Sequence, residues 1–480
     1  MSPSKSPAQP SHNLPQRELT LWDSVAIIVG IIVGAGIFQT APMIAGGVSS
    51  GLQLLLVWAV GGALSVIGAL CYAELATAFP RVGGDYVYLN RAYGNWAGFL
   101  FAWARLSIIQ TGSLGLLAYV FARYANTILP LEKLVPATWN SELLYAQLVI
   151  VVLSLLNLVG TRQGKWNQRI LTSAKVLGLG AIVLVAFLFT SNSPLLTETV
   201  SSEGSWSGIE FALILVMFTY GGWNEAAYVA AEVQNPNRNI VRSLVIGTTI
   251  VTGLYLLINS AYLYVLGLEG LRQTQAVATD VVSGALNLPD SSATPALIMS
   301  LLVIVSVLGA INGEIFTGAR ISYALGEEHR VFHFLGTWDN KKNSPTRAII
   351  AQTFITFALV TTAGIWGGES GFDNLMKFTA PIFWVFFTLT AVSVIVLRQR
   401  EPNLERPFRT PCYPLLPLLF CAACLFMLYS SGTYAWSSEH PHDRVWLGIA
   451  ATILLAGLPL YLFSRYLTGS MGNPTNNPHT

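Results

Sequence analysis

Read in windows of about 20 residues, the length of helix that crosses the hydrocarbon layer, the chain alternates long apolar runs with short polar connections. The pattern predicts 12 transmembrane helices, at 22–48, 52–79, 93–127, 143–160, 169–190, 206–232, 241–267, 294–325, 346–366, 372–397, 414–436 and 445–466. No connection leaves room for a soluble domain, so 21–467 reads as a single transmembrane unit. Residues 1–20 are rich in Ser, Pro and Gln without an apolar core, which predicts a disordered cytoplasmic tail rather than a signal peptide. A second such tail is expected over 468–480.

Two spans carry an interruption. In the first, Gly34 and Gly36 stand two apart in the run Gly30 to Phe38, and each glycine weakens a helix by about 1 kcal/mol relative to alanine. A helix opened at mid-membrane frees amides at the start of one half and carbonyls at the end of the other, which suit a carboxylate and an ammonium. A zwitterion answers both. The competing reading is that the two glycines only let a neighbouring helix approach closely. The sixth span repeats the feature, with Gly221 and Gly222 among Phe218, Thr219, Tyr220, Trp223, Asn224 and Glu225. Breaks five spans apart point to an inverted-repeat transporter with its site at the midplane. The expected fold is therefore an all-α membrane protein with a 5+5 core, repeats over 21–190 and 206–397, followed by helices 11 and 12 over 414–466.

Composition agrees: of 480 residues 53% are apolar and 10% charged, whereas about a quarter of a soluble chain is charged. A net charge of +2 with basic residues scattered between spans argues against a nucleic-acid partner. Most basic residues fall on the side of the N-terminus and only Lys133, Arg272 and Arg444 on the opposite loops, so both termini are expected in the cytoplasm of a multi-pass plasma (inner) membrane protein. Cys71, Cys412, Cys421 and Cys424 lie in or beside apolar runs and read as packing residues. His329 and His333 are four apart, but in a basic loop without cysteine they read as solvated rather than metal-binding. No nucleophile elbow, zinc-protease motif or P-loop occurs, so neither an enzyme nor an ATP-driven pump is expected, and no cofactor or metal is called for.

Several segments resemble the amino acid-polyamine-organocation superfamily, and its L-type amino acid transporter branch most. They are Gly34 to Phe38, Tyr72 to Leu75, Pro80 to Tyr88, Phe218 to Asn224, Asn235 to Asn239, Phe316 to Arg320 with Tyr323, and Arg406 to Arg409. The resemblance implies that amides around Ala35 and Gly36, beside Gly34, hold the substrate carboxylate. Carbonyls near Ile32 and along Phe218, Thr219, Tyr220 and Gly221 would take its amino group, with Phe218 as the aromatic gate. Asn224 would satisfy backbone groups freed by the break. Ala35 stands where many relatives have serine, Glu225 where an aromatic is usual, and Glu314 where a small polar residue is usual.

Lys175 matches a lysine of sodium-independent members, standing where sodium-using relatives place the ion. A lysine within a span needs a partner, and snorkelling to the interface is its bland alternative. The expectation is a coupling pair of Lys175 with Glu314; Arg105 is equally unexpected in a span and has no evident partner. Eukaryotic L-type relatives join a heavy chain through a cysteine between helices 3 and 4, and 128–142 contains none, so no disulfide-linked heavy chain is expected. The reading is a sodium-independent L-amino acid transporter, an exchanger working by alternating access. A proton-coupled amino acid or polyamine symporter of the same fold is the alternative, and a nontransporting amino acid sensor the alternative of another class.

Overall fold

The computed structural model describes residues 17–34, 36–131, 140–190, 206–274, 276–288, 293–365, 371–437 and 441–469. Both expected tails lie almost entirely outside them.

The first span is two helices, α1 (Leu21–Ile32) and α2 (Gly36–Gly47), whose axes differ by 48°. A capping box starts α1: the Thr20 hydroxyl accepts from the Asp23 amide and the Asp23 carboxylate accepts from the Thr20 amide at 2.9 Å, satisfying two orphan donors of the first turn. There follow α3 (Gly51–Ala78), the short α4 (Asp85–Tyr93), and α5 (Asn95–Ala104), which passes through a π-turn at Arg105–Ile109 into α6 (Gln110–Ile128). Next come α7 (Ser141–Leu158), α8 (Thr161–Phe189) and α9 (Trp206–Thr219). Gly222 has φ +107°, a conformation that glycine adopts without steric cost. It ends the α-helical part of the sixth span and opens a 3-10 segment, Trp223–Glu232. The chain continues through α10 (Pro236–Gln273), α11 (Val277–Ala285), α12 (Ala293–Glu328), α13 (Thr346–Ile365), α14 (Gly371–Arg400), α15 (Leu415–Ser437) and α16 (Pro441–Gly469).

Among the described residues, ten helices are long and apolar enough to cross a membrane, and the bent α1–α2 pair makes one more. The expected span at 206–232 is divided between α9 and the 3-10 segment. The short α4 and α11 do not appear in the hydropathy pattern, because helices of nine residues fall below the window that finds spans. Isolated bridges, Leu19 with Val233 and Asp339 with Ser344, are the only β pairing among the described residues.

The broken helices sit at the centre. α1 packs on α8, α10, α12 and the 3-10 segment, while α2 packs on α9. α6 closes the other side against α7, α12 and α14, and α15 and α16 join at the periphery against α14, α3 and α5. Cys71, Cys421 and Cys424 are buried, whereas Cys412 is exposed. His329 is not solvated as its loop position suggested: it is buried against Phe99 and Tyr461, and burial lowers its pKa to about 4.

Candidate functional site

The freed carbonyls at the end of α1 are met by side chains from three surrounding helices. Lys175 on α8, fully buried, donates to the carbonyls of Gly30, Val33 and Ser306, each at 2.7 Å. An ammonium has three donors, and all are used. The Ser306 hydroxyl adds bonds to Val33 at 2.8 Å and Gly34 at 3.2 Å. Tyr255 donates to Ile32 at 2.9 Å, and the Gly34 amide donates to the same carbonyl at 2.7 Å. Two corrections follow. Lys175 does not pair with Glu314, because its donors are spent on backbone; and the Ile32 carbonyl has both lone pairs engaged, which leaves it poorly placed to receive a substrate amino group.

The amide end is different. α2 begins at Gly36, and the first amides of any helix lack intrahelical partners. Ala35 lies outside the described residues. Gly36 is pressed against α9: a Cβ built there would lie 2.9 Å from Thr219 Cγ2 and 3.0 Å from its hydroxyl. Thr219 in turn shares a hydrogen bond of 3.2 Å with Thr40. Gly34 has more room, with its nearest neighbours at 3.7 Å from such a Cβ.

A cavity of about 600 Å³ runs along this break, within the range of sites that enclose small molecules. Ile32, Gly34, Gly36, Phe218, Thr219, Gly221 and Asn224 all line it. Tyr220 does not; it is buried completely, with its hydroxyl on the Trp58 carbonyl at 3.2 Å. The wall continues through Phe38 and Met43 on α2, Arg123 at the far end of α6 and Phe372 at the start of α14, so the cavity extends toward the face opposite the N-terminal end of α1. Phe218 is 37% exposed, leaving the cavity uncovered. Asn224 also departs from expectation: rather than meeting freed backbone, it donates to the Tyr228 hydroxyl at 2.7 Å, and Tyr228 donates to Asp85 at 2.7 Å.

The floor is charged. Arg105, at the π-turn, pairs with Glu225 of the 3-10 segment, which supplies the partner the sequence left open. The other Glu225 oxygen accepts from Thr317 at 2.6 Å, and the Arg105 guanidinium lies 5.0 Å from the centre of the Tyr228 ring. Such a pair tolerates burial because both charges are matched and hydrogen-bonded. Glu314 accepts from Ser113 at 2.8 Å and more weakly from Gln110 at 3.4 Å.

A central cavity at two opposed helix breaks is the arrangement of a transporter, and comparison with known proteins decides which. The family model described as amino acid permease matches residues 19–458. The chain belongs to the amino acid permease family. It is thus a membrane transporter of amino acids and not an enzyme. The chain is 31% identical to the mouse b(0,+)-type amino acid transporter 1, over 86% of its own length and 82% of the relative's. It is 31% identical to the human protein of that name, with the same coverage. The mouse large neutral amino acids transporter small subunit 2 is 29% identical over 94% of this chain and 81% of that one.

Beneath the cavity the permease is closed. Arg320 and Glu232 form a buried bidentate pair at 2.8 and 3.1 Å, and the backbone of Leu19 bonds to Glu232 at 2.9 Å and to Gln234 at 2.8 Å. Arg169 pairs with the buried Asp23, and Lys165 reaches the Glu18 carbonyl at 3.1 Å. In the sequence Arg320 and Thr317 stand out only as parts of a segment, and Ser306 and Tyr255 do not stand out at all. A hydroxyl within an apolar run is too common to single out, since it can bond its own helix.

Proposed function

We propose that this permease is a sodium-independent exchanger of L-amino acids, set in the plasma (inner) membrane with both termini in the cytoplasm and working by alternating access. The carboxylate of the substrate meets the amides at the start of α2, and its amino group meets carbonyls of the Phe218 to Gly221 stretch. The bridge from Lys175 to Gly30, Val33 and Ser306 carries the sodium-independent reading. A fixed ammonium joins α1, α8 and α12 at carbonyls that could otherwise coordinate a cation. With the N-terminus inside, the cavity faces outward, and the contacts among Leu19, Glu232 and Arg320 close the cytoplasmic side. The permease functions without a disulfide-linked heavy chain.

The test is uptake of labelled amino acids into proteoliposomes. Uptake that requires unlabelled amino acid inside, persists when choline replaces sodium, and does not follow an imposed pH gradient supports the exchanger. Uptake into empty vesicles driven by acid outside would replace it with proton symport. Binding without any flux would replace it with a sensor.

A further inference from the structure

We infer that the cavity floor selects amino acids with a cationic side chain, and that Glu314 is the counter-charge. The inference rests on the proposed amino acid site at the break. Ala310 and Leu117 are the nearest neighbours of the Gly34 position, and Gly313 faces Ile31, so α12 passes directly alongside the broken end of α1. Glu314 stands four residues beyond Ala310, about 6 Å along the axis. It is half-buried and lines the cavity. A substrate anchored at Gly36 therefore shares the cavity with Glu314, whose carboxylate can receive an ammonium carried on a flexible four-carbon stem.

The charges of the floor are unevenly matched. It contains two carboxylates and one guanidinium, and Arg105 is committed to Glu225, whose other oxygen is taken by Thr317. Glu314 has only the hydroxyl of Ser113 and the amide of Gln110, and no cationic partner within salt-bridge distance among the described residues. Arg123 also lines the cavity, but at the exposed rim, where water and salt screen it. A second acceptor is ready beside Glu314. Thr379 is 6% exposed and lines the cavity, and its hydroxyl has no hydrogen-bond partner among the described residues. It sits against Gly112, next in sequence to the Ser113 that holds Glu314. One carboxylate and one hydroxyl without donors enough suit an ammonium with three. Arg105 Nε is also without a partner among the described residues, so a side chain bearing an acceptor, such as glutamine, is the competing ligand.

The experiment measures binding of L-lysine, L-norleucine and L-glutamine to the purified full-length protein. Lysine and norleucine share a four-carbon stem and differ in the ammonium. Lysine is expected to bind tighter than norleucine by about tenfold or more, the ratio that a charged hydrogen bond supplies. Glu314→Gln should bring that ratio to about one, and Glu314→Asp should keep lysine preferred. Equal or tighter binding of norleucine or glutamine by the parent protein overturns the inference while leaving the amino acid site standing. Binding of none of the three would instead remove the site itself. Should Glu314→Gln fail to fold, the parent's ratio decides alone.

Discussion

The Lys175 ammonium donates to the Val33 carbonyl at 2.7 Å, tying α8 to α1 at the point where α1 stops. Two further carbonyls, of Gly30 and Ser306, share the same ammonium. Lys175→Met would remove all three bonds, and although the Val33 carbonyl keeps the Ser306 hydroxyl, a buried carbonyl left without a partner costs about 1–3 kcal/mol. Substrate affinity should fall by about tenfold or more in equilibrium binding, because the loosened turn leads directly into the amides of α2. The structure also predicts that Lys175→Met and Glu314→Gln act independently, adding to within about 0.5 kcal/mol in a double-mutant cycle. Strong coupling would reinstate the pair that the geometry denies.

Gly36 is constrained by Thr219 rather than by its own backbone angles. A Cβ at Gly36 lies 2.9 Å from Thr219 Cγ2, so Gly36→Ala must push α2 and α9 apart, and Gly36→Val more so. Both variants should lose substrate binding, the valine form entirely. Adding Thr219→Ala to Gly36→Ala removes the clashing atoms and should recover part of the affinity. A Gly36→Val protein that binds normally would show that the amides of α2 do not hold the carboxylate.

Arg320 and Glu232 are both essentially excluded from water, at 1% and 0% side-chain exposure. Removing one partner leaves an uncompensated buried charge, which costs about 3–5 kcal/mol. Arg320→Met should therefore lower the thermal unfolding midpoint sharply, whereas Arg320→Met with Glu232→Gln should recover much of it. The double variant still lacks the ionic closure, so its inner face should label more readily with a water-soluble thiol reagent at a cysteine placed at Leu19. Labelling equal to that of the same cysteine in the parent background would deny the pair a gating role.

The two breaks are legible in the sequence because a glycine pair at the centre of an apolar run weakens the helix there and adds no apolar surface in return. Lys175 is legible because an ammonium in a span demands a partner. What the sequence does not carry is facing. Each residue turns a helix by about 100°, so whether Lys175 and Glu314 point at each other depends on rotations that hydropathy does not record. The π-turn at Arg105–Ile109 resets the rotation of the third span where its charged residue lies. Arg105 and Glu225, 120 residues apart, are each anomalous in the sequence, yet nothing in it matches one to the other. Neighbouring glycines are similarly indistinct: Gly36 and Gly222 are held by close contacts with Thr219 and Ile31, while Gly34 has space around it.

Asp85 begins α4, outside the spans, and burial pushes its carboxyl up to about 6, above the ~3.9 of an exposed aspartate. An acid whose pKa rises on folding contributes full stability below its unfolded pKa and loses it as pH rises through the folded value. Asp85→Asn keeps an acceptor for the Tyr228 hydroxyl without the charge. The variant should therefore be more thermostable than the parent at pH 8, and the gap should shrink to about half at pH 5 and close by about pH 3. A gap independent of pH over that interval would show that the carboxyl does not titrate there.

Phe218 lies next to Met217, which is 5% exposed, and two residues from fully buried Tyr220, yet is itself 37% exposed. It faces the cavity that Gly36 and Glu314 also line. An aromatic ring left wet on a helix beside its own break is a group that gains free energy when the site closes. Complete burial of such a side chain is worth about 1.5–3 kcal/mol, and the part of it still exposed here is available to hold an occluded state in which water is kept from the charged ends of the substrate. Phe218→Ala should consequently depress exchange far more than it depresses protein yield or the affinity measured in detergent, because the ring acts after binding. Phe218→Trp retains an apolar plate and should keep measurable exchange. Exchange by the alanine variant at the parental rate would exclude Phe218 as the cover of the site, and an equal loss of binding and exchange would place it in substrate recognition instead.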